Sequence, residues 1–132
     1  MADFQCHVLL SAPPEIVFDG WLTPSIHGHY AEALVQMEPK PEGRYELWGG
    51  SVFGQFLDIQ RPREIRMSWK TVDFLPKMLP TIVQLQFQRV PRGTRLLVTH
   101  QNIPEPMLEQ FRYGWESYYC PKMQQFYLQY LS

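Results

Sequence analysis

From Leu34 to Gln101 apolar and polar residues alternate in short runs, and beyond Pro106 the apolar spacing lengthens to three and four. In residues 81–88, TIVQLQFQ, Val83, Leu85 and Phe87 share one face while Gln84, Gln86 and Gln88 share the other. That period of two predicts a strand with one greasy and one wet side. Pro39, Pro41-Glu42-Gly43, Gly49-Gly50, Arg61-Pro62-Arg63 and Pro91-Arg92-Gly93 separate similar runs, because proline and glycine end strands and shape turns. Six strands follow: Ala33 to Met37, Arg44 to Trp48, Val52 to Gln60, Glu64 to Lys70, Thr81 to Arg89 and Thr94 to Gln101. Gly54, inside the third, predicts a bulge or a close backbone approach.

An earlier strand, Phe4 to Leu10, stops at Ser11-Ala12-Pro13-Pro14. Prolines open helices but do not continue strands, so a short helix begins there, with Val17–Trp21 and Phe18–Leu22 as i,i+4 pairs. Thr23-Pro24 repeats the start signal, a capping hydroxyl before a proline, and predicts a second short helix from Ser25 to about Tyr30. At the other end, Leu108, Phe111, Trp115, Tyr118, Tyr119, Lys122 and Phe126 form one stripe along a single long helix. Pro121 within it lacks an amide donor and crowds the Ser117 carbonyl, which predicts a kink or break near Ser117. The pattern is α+β: a curved antiparallel sheet of about seven strands, two short helices after the first strand, and a long C-terminal helix laid over the greasy face.

Composition narrows the partners. A chain of 132 residues with 45% hydrophobic content has the size of one domain with one core. Its 12 basic and 13 acidic residues leave a net charge of −1, which gives no electrostatic reason to expect nucleic acid. Cys6 and Cys120 fit no metal spacing and no disulfide framework, so a reducing cytosol is the expectation. The N-terminal run MADFQCHVLLSAPP reads neither as a signal peptide nor as a membrane span. The expected location is cytoplasmic.

With the element order in place, SAPPEIVFDGWLTP, LWGGSVFGQFLDIQRPREIRMSWK, TRLLVTHQNIP and YGWESYYCPKM carry a family resemblance across almost the whole chain. The sequence resembles the C-terminal domain of the activator of the ninety-kilodalton heat-shock chaperone's ATPase. The most specific pieces are the Gly50-to-Gly54 segment, Ile65 with Trp69, and Gly114-Trp115 with Tyr118-Tyr119. The resemblance implies the helix-grip, or START-like, superfamily, whose lipid-transfer, plant-allergen and aromatase members hold hydrophobic ligands between sheet and helix. It implies a scaffold with a cavity and a chaperone as one partner, but no catalytic set to carry over. The eukaryotic activators also have a separate N-terminal domain that grips the chaperone, for which 132 residues have no room.

His27 and His29, two apart, diverge by about 200° on a helix and suit a shared metal poorly, so both are expected near the surface at the cavity mouth. His100 falls on the core face with Leu96 and Val98 and needs hydrogen-bond partners, either a ligand or a neighbour such as Tyr119. Asp58, Glu64 and Asp73 form no acid/base pair, and Ser51, Ser68, Ser117 and Cys120 lack the setting of a nucleophile. Gly49-Gly50 and Gly54 precede no helix and cradle no phosphate. No catalytic residue, metal site or cofactor is expected.

The candidate cavity wall is Met67, Trp69, Val98, His100, Phe111, Trp115, Tyr118 and Tyr119, either as core filler or as a stack for a flat apolar molecule. Phe74, Leu75 and Met78 lie in the apolar connection 72–80, a gate over the ligand or a patch for a partner or a second copy. The leading expectation is a non-enzymatic module holding a small hydrophobic molecule. A chaperone-binding protein is the second, and an aromatase-like or hydrolytic enzyme using His100 in an open, wet pocket is the third.

Overall fold

The computed structural model describes residues 1–131. Strand β1 (Ala2–Leu10) leads into helices α1 (Pro14–Trp21) and α2 (Pro24–Ala31). Six strands follow: β2 (Val35–Met37), β3 (Arg44–Leu47), β4 (Val52–Gln60), β5 (Glu64–Thr71), β6 (Thr81–Val90) and β7 (Gly93–Ile103). All pair antiparallel in the order β1-β7-β6-β5-β4-β3-β2, so the chain meanders from β2 to β7 and β1 closes on β7. The helical C-terminus comprises α3 (Leu108–Tyr113), a π-helical segment (Gly114–Tyr119) and α4 (Cys120–Tyr127). It lies across the concave face, α4 packing on β1 and α2. The expected α+β helix-grip architecture is present.

Alternation chooses the buried face. Val83, Leu85 and Phe87 are buried beside Leu96 and Val98 of β7, while the intervening glutamines are half-buried or exposed. Each buried aliphatic or aromatic side chain contributes about 1.5–3 kcal/mol. Gly54 makes the close approach: a Cβ there would stand 2.1 Å from the Ser68 carbonyl oxygen. The β4 bulge is elsewhere, at the register shift between Phe56 and Asp58, where one extra residue bends the strand around the helix.

Three local expectations are corrected. Thr23 does not cap α2 with its side chain; its hydroxyl instead donates to the Asp19 carbonyl at 2.7 Å, a local bond that threonine forms readily within a helical turn. Strand β2 is shorter than expected, since residues 33 and 34 complete the turn that leaves α2, with Ala33 N–H bonded to Gly28 O. Pro121 does not break the helix. Tyr113, Gly114, Tyr119 and Cys120 all keep right-handed helical angles, and the disturbance takes the form of π-helical turns.

Those wider turns have a second consequence. Phe111, Trp115, Tyr119, Met123 and Tyr127 are all buried, a strict spacing of four. In a 3.6-residue helix a four-residue repeat drifts by about 40° per step and would spiral off the sheet. Turns closed by five-residue bonds, such as Cys120 N–H to Trp115 O, offset the drift and hold the row on one face. Pro121 stands at the head of α4, where no amide donor is required.

Candidate functional site

Between sheet and helix the grip is occupied by the protein's own aromatic rings. Trp115 lies 6.0 Å from Trp21, 5.4 Å from Trp69 and 5.1 Å from Tyr119, centroid to centroid. Such offset and tilted packing adds to the burial of each ring. The space that remains is a cleft of about 310 Å³ at one end. Trp48, Val52, Trp69 and Thr71 line its sheet side, and Phe111, Trp115, Tyr118 and Tyr119 its helix side.

Trp48 was not foreseen as part of this site. It sits in a 3-10 turn between β3 and β4 with φ of 53°, left-handed and rare for a bulky side chain. The turn is completed by Gly49, also left-handed at φ 64°. The conformation is held by packing of the indole against Tyr118 at 5.7 Å and Tyr119 at 5.4 Å, with a backbone cost of about 1–3 kcal/mol. The glycine pair at 49–50 was the signal available in the sequence.

His100 is fully buried and saturated. The Trp115 indole N–H donates to its Nδ1 at 3.1 Å, which leaves Nε2 as the protonated nitrogen, donating to the Thr81 hydroxyl at 2.8 Å. That hydroxyl in turn donates a hydrogen bond to the Trp69 carbonyl at 2.7 Å. Burial holds the imidazole down at about 3, so it is neutral at physiological pH. A packed, neutral, fully bonded ring has no lone pair to offer, and the hydrolytic or aromatase-like reading loses its base.

Tyr119 serves the other histidine. The expected surface position of His27 is wrong: the ring is fully buried, stacked on Tyr30 at 5.3 Å, with Nδ1–H donating to the Trp21 carbonyl at 2.9 Å. Nε2 accepts from the Tyr119 hydroxyl at 2.7 Å. Burial pulls His27 down to about 4, opposed by the bond to Trp21. The signal lay in the i, i+3, i+4 spacing of His27, Tyr30 and Ala31, the buried face of α2. His29 is exposed on the opposite side.

Of the residues singled out in the sequence, Trp69, Phe111, Trp115, Tyr118 and Tyr119 line the cleft. Met67, Val98 and His100 are fully buried behind it. Tyr118 donates its hydroxyl to the Ala31 carbonyl, and Lys122, paired with Glu32, stands 5.0 Å above the Tyr118 ring. In the 72–80 loop, Phe74 packs on Phe111 at 6.3 Å, while the Leu75 amide donates to the Met78 sulfur at 3.2 Å. None of Phe74, Leu75 and Met78 is among the lining residues. Instead Val72, Leu75 and Leu79 are about 70% exposed, as is Tyr113 on the helix beside the mouth. Among the described residues no group of three or more His, Cys, Asp or Glu could hold a metal, and no helix is long and apolar enough to cross a membrane.

Residues 11–127 match the family model described as "Activator of Hsp90 ATPase homolog 1-like protein". The chain belongs to that family. It is 27% identical over 112 residues to the activator of 90 kDa heat shock protein ATPase homolog 1 of Mus musculus, and equally to that of Homo sapiens. The match covers 85% of this chain and 33% of those proteins, so the chain spans about a third of the length of the curated relatives. Among solved structures, an HSP90 activator from Plasmodium falciparum aligns with a TM-score of 0.83 at 26% identity, covering 90% of this chain and 91% of that one. A Chromobacterium violaceum protein shares the fold at 19% identity, with a TM-score of 0.79 and coverage of 96% of this chain and 98% of that one.

Proposed function

We propose that this chain is a non-catalytic docking module that presents the open end of its grip to a protein of the ninety-kilodalton heat-shock chaperone class. One observation carries the reading: beside the aromatic cleft, Val72, Leu75, Leu79 and Tyr113 turn large apolar surfaces into solvent. Exposed apolar side chains of that size, with exposed Asp73 and Lys77 in the same loop and Gln110 at the cleft, suit a surface that another molecule covers. Family membership and the heat-shock activators among its relatives favour the chaperone as that molecule. Calorimetric titration of the chaperone into the wild type and into Leu75→Asp/Leu79→Asp tests it. Both side chains are exposed, so folding is expected to survive within about 0.5 kcal/mol, while affinity falls at least tenfold. Undiminished affinity would reject the docking end.

The cleft itself favours a second reading, a small flat hydrophobic ligand stacked between Trp48, Trp69 and Trp115. Its volume, about 310 Å³, lies at the lower limit for small-molecule sites, and the filled interior leaves no room for a lipid-sized guest. Native mass spectrometry of the protein from cells reads this directly. A stoichiometric adduct lost on denaturation supports the ligand; a bare protein that still binds the chaperone supports docking alone.

A further inference from the structure

The chain's two cysteines stand near opposite ends of the sequence, on β1 and at the head of α4, two elements that pack together. Cys6 shares the inward side of β1 with Phe4, Val8 and Leu10, yet remains half-buried. Cys120 is buried, the first residue of α4. The helical C-terminus is held to β1 on either side of the pair: Gln124 Nε2 of α4 donates to the Leu9 carbonyl at 3.2 Å, and the Arg112 guanidinium of α3 lies 5.3 Å from the centre of the Phe4 ring. Each thiol is the largest electrostatic influence on the other, as expected of side chains that face one another across the β1–α4 contact. We propose that Cys6 and Cys120 form a reversible oxidation site, which a peroxide closes into a disulfide between β1 and the head of α4.

The pair is asymmetric in the way such chemistry requires. The hydrogen bond from Cys120 lowers the Cys6 thiol, with help from Arg112 and against burial and Glu116. The same contact, then burial, raises Cys120. Negative charge therefore collects on the more accessible sulfur, where a thiolate reacts with peroxide. The Cys6 thiolate attacks one peroxide oxygen, the O–O bond breaks to give the sulfenic acid, and the departing hydroxide takes up the proton released when the thiol ionised and leaves as one water. Cys120 then attacks the sulfenic sulfur, its proton leaving with the hydroxyl as a second water. Two thiols lose two electrons to hydrogen peroxide, giving one disulfide and two waters. Among the described residues no metal-holding group of His, Cys, Asp and Glu includes the pair.

The bond would tie β1 to the residue that immediately follows the π-helical segment carrying Trp115, Tyr118 and Tyr119. Oxidation would thus fasten the helical wall of the cleft. The test treats dilute, reduced full-length protein with a small excess of hydrogen peroxide, alkylates free thiols and maps peptides without reduction. The expected result is a monomer lighter by two hydrogens, with both thiols protected, a linked Cys6–Cys120 peptide and recovery in dithiothreitol. Cys120→Ser is expected to trap Cys6 as a dimedone-reactive sulfenic acid. Should that variant misfold, Cys6→Ser reads the same chemistry from the other side, leaving buried Cys120 unoxidised. Persistently alkylatable thiols, over-oxidised Cys6 beside free Cys120, or disulfides between separate chains would each overturn the proposal.

Discussion

At the end of the grip covered by α1 and α2, Phe18, Trp21, His27, Tyr30 and Tyr127 are each exposed by no more than 4%, and rings fill the space. At the other end Trp48, Trp69, Phe111, Trp115 and Tyr118 surround a cleft. The residue types are the same; what covers them differs. Helix α1 brings Val17, Phe18 and Trp21 down onto β6 and β5, and the Arg61–Asp19 and Arg89–Glu15 ion pairs anchor its outer side to the sheet. The loop at 72–80 delivers only Phe74 to the interior and turns Val72, Leu75 and Leu79 outward. Whether an aromatic wall becomes closed core or borders an open cleft is thus set by the connection laid over it.

The largest way to break the contrast is Trp21→Ala at the closed end. It removes a fully buried indole that donates to the Met67 sulfur at 3.3 Å and packs on Trp115. A loss of about 3–5 kcal/mol is expected by urea denaturation, against about 1–2 kcal/mol for Trp48→Ala, which borders the open cleft. Equal losses would show that the two ends are packed alike.

Acidification probes both ends together. His27 and His100 have folded values of about 4 and about 3, below the ordinary 6.5. Below pH 6.5 the unfolded chain binds protons that the folded chain refuses, so stability falls with pH until the folded rings titrate. Two such groups predict a loss of about 4 kcal/mol between pH 7 and pH 5, measured by denaturation at each pH. The carboxylates Glu15, lowered first by its own backbone amide and then by Arg89, and Asp19 and Glu32, lowered by Arg61 and Lys122, act in the same direction only at more acidic pH. A flat profile above pH 5 would mean that the imidazoles reach water.

The closed end is tight enough to leave two hydroxyls, Tyr30 and Tyr127, buried without partners. A Cβ at Gly20 would stand 2.3 Å from the Tyr127 oxygen. Gly20→Ala is expected to cost about 1–3 kcal/mol. Tyr127→Phe alone is expected to be neutral or to stabilise by up to about 1 kcal/mol, and to reduce the penalty of Gly20→Ala when combined with it. Additive thermal shifts in the double variant would contradict that contact.

Much of the scaffold was legible because backbone punctuation and alternation act locally. Val83, Leu85 and Phe87 could point only one way once the strand was recognised, and the glycines and prolines marked the turns. The aromatic row of the last helix was recognised but its phase was not, since Met123 and Tyr127 join it only through the π-helical turns near Pro121. His27 was misplaced because two histidines were judged against each other as metal ligands, whereas Tyr30 and Ala31 decided the face. Tyr119 was named as a partner for His100, but distance assigns it to His27 and gives Thr81 and Trp115 to His100. Side-chain pairing across ninety residues of chain is set by tertiary packing, and local spacing does not encode it.

The most direct test of the docking end is backbone amide chemical-shift mapping of the labelled chain during titration with the ninety-kilodalton chaperone. Perturbations concentrated in residues 72–80, 48–52 and 110–118, with the amides of α1 and the His27 turn unmoved, are the expected result. Perturbations centred on α1 and α2 or on the glutamine-bearing outer face of β6, with the 72–80 loop silent, would contradict it.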